Sequence, residues 1–147
     1  MGYVTNADIE DRLGSTTYVQ LTDDEGTGSA DTDKVDEARL GAEGELDSYL
    51  ARRYAVPIDV TAHEELAGLL KSIALDIAEF RLQGRRPPVP SAVVDKRNAA
   101  VRWLQQVASG EIVLPSGSEL PGNEAEGIQG EAIGDLRTFT DEEMASW

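Results

Sequence analysis

The sequence predicts an all-α protein: a compact bundle of about four helices followed by a long extended C-terminal arm. Two observations carry that expectation. Apolar residues recur at three- and four-residue spacing over three long segments bounded by capping and stop residues, while no series of strands is long enough for a sheet core. After the last of these segments the character changes: residues 110–147 hold six glycines, two prolines and nine acids. So few apolar groups leave little to set against the entropy of ordering. A helical head over residues 1–110 and an arm over 111–147 are therefore expected.

The elements follow in order. Thr5 is placed to cap a helix over residues 6–13, with Asp8 at its third position, Ile9 and Leu13 on one face and Gly14 as the stop. Tyr18, Val19 and Leu21 make a small apolar patch with room for a helical turn, and a polar, glycine-bearing loop runs from Thr22 to Asp33. Thr32 opens a long helix to about Tyr54, whose apolar face is Val35, Ala38, Ala42, Leu46, Tyr49 and Leu50. Gly41 and Gly44 each weaken that helix by about 1 kcal/mol relative to Ala; a closely packed neighbour or a bend would explain them. Ala55-Val-Pro57 ends it, because proline disfavours helix in the residue before it.

Thr61 and Glu64 have capping-box spacing for a helix over residues 62–83. Its stripe of Leu66, Leu69, Leu70, Ile73, Ile77 and Phe80, widened by Ala67, Ala74 and Ala78, is that of a central helix contacted from two sides. Gly84 closes it, and Arg85-Arg-Pro-Pro-Val-Pro90 reads as a stiff extended connection. Ser91 caps the last helix, to about Ser109, with Val93, Val94, Arg97, Ala100, Val101, Leu104 and Ala108 inward. Gly110 ends it, and Ile112-Val-Leu-Pro115 is one short strand-like piece.

At 147 residues with 40% hydrophobic composition, the chain can supply one core. No apolar run approaches the roughly 20 residues needed to cross a bilayer, and residues 1–8 lack signal-peptide character. A soluble, unexported protein without a membrane partner is expected. The absence of cysteine excludes a disulfide framework and thiolate metal sites. The net charge of −15 is unevenly spread: residues 1–50 carry 13 acids against 3 bases, residues 107–147 carry 9 against 1, and residues 71–106 carry 7 bases against 3 acids. That pattern suits either a solvated acidic face or a subunit whose basic middle meets the acidic ends of identical copies in a head-to-tail ring. In the second case Arg81, Arg85, Arg86, Lys96 and Arg97 are the subunit-interface candidates. Overall acidity argues against gripping DNA, and the Arg81–Arg86 run lacks the interleaved aromatics of a nucleic-acid patch. An acidic protein partner suits it better.

The chemical signals are few. A helix-loop-helix calcium site starting at Asp23 would draw on Asp23, Glu25 and Asp31, but position 12 is Lys34, a cation where a bidentate Glu belongs. A turn whose acids precede a helix N-terminus accounts for the same residues. His63 stands beside Glu64 and Glu65 in a first helical turn, a solvent-facing position that cannot build a His-rich site. Asp76 and Arg81 on the central helix fit a structural ion pair. Neither a nucleophile elbow nor a phosphate-cradling loop is present, so no enzyme and no cofactor is expected. Phe139, Met144 and Trp147, with Arg137 beside them, are spaced large side chains at the end of the arm, suited to anchoring on a partner.

Several segments share a family pattern. Asp76-Ile-Ala-Glu-Phe-Arg-Leu-Gln-Gly84 followed by Pro87, and Ala100-Val-Arg-Trp-Leu-Gln-Gln-Val-Ala-Ser-Gly110, resemble the Mu-like phage head–tail connector family. So do Tyr3-Val-Thr-Asn-Ala-Asp8, Gln20-Leu-Thr-Asp-Asp24 and the helix ending Leu46-Asp-Ser-Tyr-Leu-Ala-Arg-Arg-Tyr-Ala-Val-Pro57. The closing Arg137-Thr-Phe-Thr-Asp-Glu-Glu-Met-Ala-Ser-Trp147 is similar to its C-terminal signature. The resemblance implies a structural virion protein at the neck, made in the host cytoplasm, forming a ring of about twelve copies under the portal. Its partners would be the portal, identical subunits and a tail terminator or other neck protein, with DNA passing unbound through the channel. A separate reading from the residues alone is an acidic helical protein-binding or calcium-responsive regulatory module outside any virion.

Overall fold

Glycine at position 14 takes φ 83°, a conformation side chains rarely adopt, and this separates two short helices where the sequence marked only one. α1 spans Asn6–Leu13 and α2 spans Ser15–Thr22. The Thr5 cap is present: its hydroxyl accepts from the Asp8 N–H while the Asp8 carboxylate accepts from the Thr5 N–H, a reciprocal box. α2 buries Tyr18, Leu21 and Thr22, so the patch expected as a turn is a two-turn helix. The computed structural model describes residues 2–115, and in this segment the protein is all-α, with five helices rather than about four.

α3 spans Thr32–Leu50 and α4 spans Glu64–Gln83. The Asp31 carboxylate caps α3 by accepting from the Asp33 N–H. Helical geometry stops at Leu50, short of Tyr54, and turns carry the chain on. Val35, Ala38, Ala42, Leu46 and Leu50 are buried as their spacing required, with Tyr49 half-buried. The capping box assigned to Thr61 and Glu64 does not form. Asp59 instead accepts from the Thr61 and Ala62 N–H groups at 2.9 and 3.3 Å, stabilising a turn ahead of the helix. α4 therefore begins two residues late, and His63 is its N-cap, half-buried, rather than a solvent-facing helical residue.

α4 is central, touching α1, α2, α3 and α5. This explains why burial spreads beyond the expected stripe to Leu75, Glu79 and Leu82, whereas Leu69 is exposed and Phe80 half-buried. The 85–90 connection bends rather than extends, with a cis Pro87–Pro88 peptide. α5 spans Ser91–Ser109; Pro90 occupies the N-cap, and Ser91 is the first helical residue instead of the cap. Val93, Ala100, Leu104 and Val107 are its buried residues, while Val94, Val101 and Ala108 are half-buried.

At Gly110 the backbone is left-handed, and the Ile112 N–H returns to the Gln106 carbonyl at 3.1 Å. Residues 112–115 follow as coil instead of a strand, with Leu114 in the core and Ile112 packed against it. α3 and α4 run antiparallel, as do α4 and α5. The body thus has two unlike ends. One holds the α2 C-terminus, the 23–31 loop and the 85–90 bend; the other holds residues 2–4, the 51–63 turns and residues 110–115.

Candidate interaction surfaces

Four of the five cations assigned to subunit contacts find carboxylates within their own chain. The Arg85 guanidinium donates to the Leu21 carbonyl at 3.0 Å and pairs with Asp24. Arg86 donates to the Gln20 carbonyl at 3.4 Å and reaches the other Asp24 oxygen at 2.9 Å. Two adjacent arginines thereby satisfy carbonyls that the end of α2 leaves open. The hydrogen bond from Arg85, with the Arg85, Arg86 and Lys34 charges, holds the Asp24 carboxyl below the usual range. Arg81 and Arg97 share Glu45, at 2.9 and 3.0 Å, and the Arg97 guanidinium lies 5.2 Å from the Phe80 ring centre. Lys96 is exposed.

The segregation of charge along the sequence thus becomes attraction between helices. Asp24 and Glu45 from the acidic first half are the partners of the basic middle. Asp76 and Arg81, expected as a pair, separate: Asp76 receives Arg12 at 2.8 Å, with Glu79 accepting from the same nitrogen at 3.3 Å. Beside the Glu45 cluster lies a recess of about 200 Å³ lined by Lys34, Glu37, Ala38, Arg81 and Arg85.

In the 23–31 loop the Asp23 carboxylate faces the backbone. It accepts from the Thr27 and Gly28 N–H groups at 3.0 and 2.8 Å, and these bonds keep its carboxyl below the usual range. Glu25 is exposed and Asp31 caps α3. Among the described residues no group of three or more His, Asp or Glu is arranged to hold a metal ion.

The opposite end contains contacts the sequence did not announce. The Tyr3 hydroxyl donates to Asp47 at 2.7 Å and accepts from the Ile58 N–H at 2.8 Å. The Val4 N–H donates to Glu43 at 3.0 Å, fastening the N-terminal segment to α3. The buried Tyr54 hydroxyl accepts from the Leu114 N–H at 2.8 Å and so fastens residues 110–115 to the turns after α3. Val56 and Val113 flank this bond in sequence and are 37% and 55% exposed. Nearby, Gly2, Pro57, Ile58, Asp59, Val60 and Thr61 line a mostly apolar recess of about 230 Å³. Tyrosines at 3 and 54 were a usable signal, since a buried phenol needs a polar partner. The anchor candidates Arg137, Phe139, Met144 and Trp147 lie outside the described residues.

The family model described as Bacteriophage Mu, Gp36 matches residues 3–130, from the N-terminal segment through α5 and beyond Pro115. The chain belongs to that bacteriophage protein family. No individually curated protein matches it. Among the described residues no helix is long and apolar enough to cross a membrane.

Proposed function

We propose that this member of the Bacteriophage Mu Gp36 family is a non-catalytic head–tail adaptor. In this reading identical copies form a ring between portal and tail at the virion neck, and the ring keeps a channel open for DNA. The observation that carries it is the asymmetric body with residues 110–115 fastened at one end. Leu114 is locked to Tyr54, and the 32 residues from 116 to 147 follow from that one end. Those residues include Phe139, Met144 and Trp147, which suit anchoring on a portal or a neighbouring copy. The net charge of −15 suits that role, because an acidic channel wall would repel phosphate.

The internal pairing of Arg81, Arg85, Arg86 and Arg97 bears on how copies would meet. Cations already matched to Asp24 and Glu45 offer a neighbour mixed-sign pairs rather than bare charge, so exchange of partners would set register more than affinity. The test is particle assembly with a chain ending at Pro115. That chain keeps the Leu114 contact, and it should be absent from purified particles that contain the full-length protein. Normal incorporation of the shortened chain would sink the arm's assigned role.

A further inference from the structure

The recess lined by Gly2, Pro57, Ile58, Asp59, Val60 and Thr61 has no part in the adaptor reading, and its chemistry is specific. Pro57, Ile58 and Val60 make it apolar, and one carboxylate stands at its edge. Asp59 directs a single oxygen, Oδ1, to the Thr61 N–H, the Thr61 hydroxyl and the Ala62 N–H. Its Oδ2 has no hydrogen-bond partner among the described residues. An apolar recess edged by a lone acceptor suits a large side chain with a single donor, which is the chemistry of an indole.

We propose that this recess holds Trp147 of the same chain before assembly, storing the arm's terminal anchor against its own body. Three observations support this occupant over others. The described residues finish at the same end, where Leu114 is bonded to Tyr54 and Tyr54 stands three residues before Pro57. Trp147 stands 32 positions beyond Pro115, and at about 3.3 Å per residue the contour between them far exceeds the width of one body end. A tethered tip also meets the recess at an effective concentration of about millimolar, above that of a free partner at micromolar levels. Of the arm's apolar anchors only Trp147 has an N–H to offer Asp59 Oδ2; Phe139 and Met144 have no side-chain donor, and the Arg137 guanidinium is a hydrated cation that an apolar recess does not suit. Docking on a portal or neighbour would then be an exchange of sites, which delays engagement until a better surface is present. This goes beyond the adaptor reading, which stands or falls separately on particle incorporation.

The chain has two tryptophans, so a full-length Trp103→Phe variant leaves Trp147 as the sole indole. Its emission should be blue-shifted, and acrylamide quenching should be several-fold weaker than in the same protein carrying Val60→Asp. Neither property should change with protein concentration. A second measurement leaves the recess chemistry nearly intact: the natural chain lacks cysteine, so Val60→Cys paired with Ser146→Cys can be compared with Ala92→Cys paired with Ser146→Cys. Ala92 is exposed at the start of α5, at the other end of the body. Intramolecular disulfide formation should be at least about tenfold faster for the first pair, because proximity sets the effective concentration of the reacting thiols. Solvent-exposed Trp147 in the free protein, or equal rates for the two pairs, overturns the proposal. A burial signal that grows with concentration, or disulfide-linked dimers, overturns it in favour of a second copy's arm.

Discussion

Tyr3 shows how one side chain can hold three segments, because its hydroxyl is donor to Asp47 on α3 and acceptor for Ile58 after the helix. Removing only the oxygen, Tyr3→Phe, strands the Ile58 N–H and takes a donor from Asp47. The expected loss is about 1–3 kcal/mol, lowering Tm by about 2–4 °C for each kcal/mol, measured by thermal unfolding. Asp47 also titrates against the common pattern. Burial holds its carboxyl above the ordinary range, the Tyr3 bond opposes this without cancelling it, and the Glu43 charge adds to it. Above the ordinary carboxyl value of about 3.9 and up to the raised native one, the folded chain binds more protons than the unfolded chain. The contribution of this group is therefore greatest at low pH and declines as pH rises. Asp24 and Asp59, both held below the usual range, work the other way: their contribution is present above it and is lost as pH falls. Asp47→Asn should consequently gain stability relative to the natural chain as pH rises from about 3 to about 6. Denaturant titrations at several pH values check this, and an Asp47→Asn chain that loses stability relative to the natural one over that range would contradict the sign.

Between elements, the Glu45 cluster is where α3, α4 and α5 are fixed against one another, and it explains one of the two glycines within α3. A Cβ at position 41 would lie 2.8 Å from the Arg81 Nη1, whereas one at position 44 would meet nothing within 4 Å. Close approach therefore accounts for Gly41, though the approaching group is a side chain held by Glu45 rather than a neighbouring backbone. Nothing in the packing of the described residues requires Gly44. Gly44→Ala should stabilise the protein by about 0.5–1 kcal/mol through helix propensity alone. Gly41→Ala should forfeit that gain, because Arg81 must shift away from Glu45. In an Arg81→Ala background the same substitution should become stabilising, a coupling that a double-mutant cycle measures by chemical denaturation. Additive effects would mean that Arg81 accommodates the methyl group freely.

At the scale of the whole molecule, the helical architecture was legible because amphipathic spacing and the Thr5–Asp8 box are local signals. The missed features depend on partners distant in sequence or on competing local bonds. Asp59 displaced the box at Thr61, α2 emerged because Tyr18 and Leu21 could be buried, and Arg85 and Arg86 were matched internally by Asp24. The same limitation affects where the body ends. Composition shifts at Gly110, but Leu114 is 4% exposed, and its N–H satisfies a tyrosine hydroxyl 60 positions earlier. Chains ending at Pro115 and at Gly110 should therefore behave differently. The first retains the core; the second loses Leu114, whose burial is worth about 1.5–3 kcal/mol, and leaves the Tyr54 hydroxyl without this partner at a further cost of about 1–3 kcal/mol. For a domain whose total stability is about 5–15 kcal/mol, that loss moves the urea midpoint by more than about 1 M, given a slope of about 1–3 kcal/mol/M. Equal midpoints would show that residues 111–115 belong energetically to the arm. A lower midpoint for the shorter chain would make Leu114 part of the body, so loss of assembly in that chain could not by itself be assigned to the missing anchors.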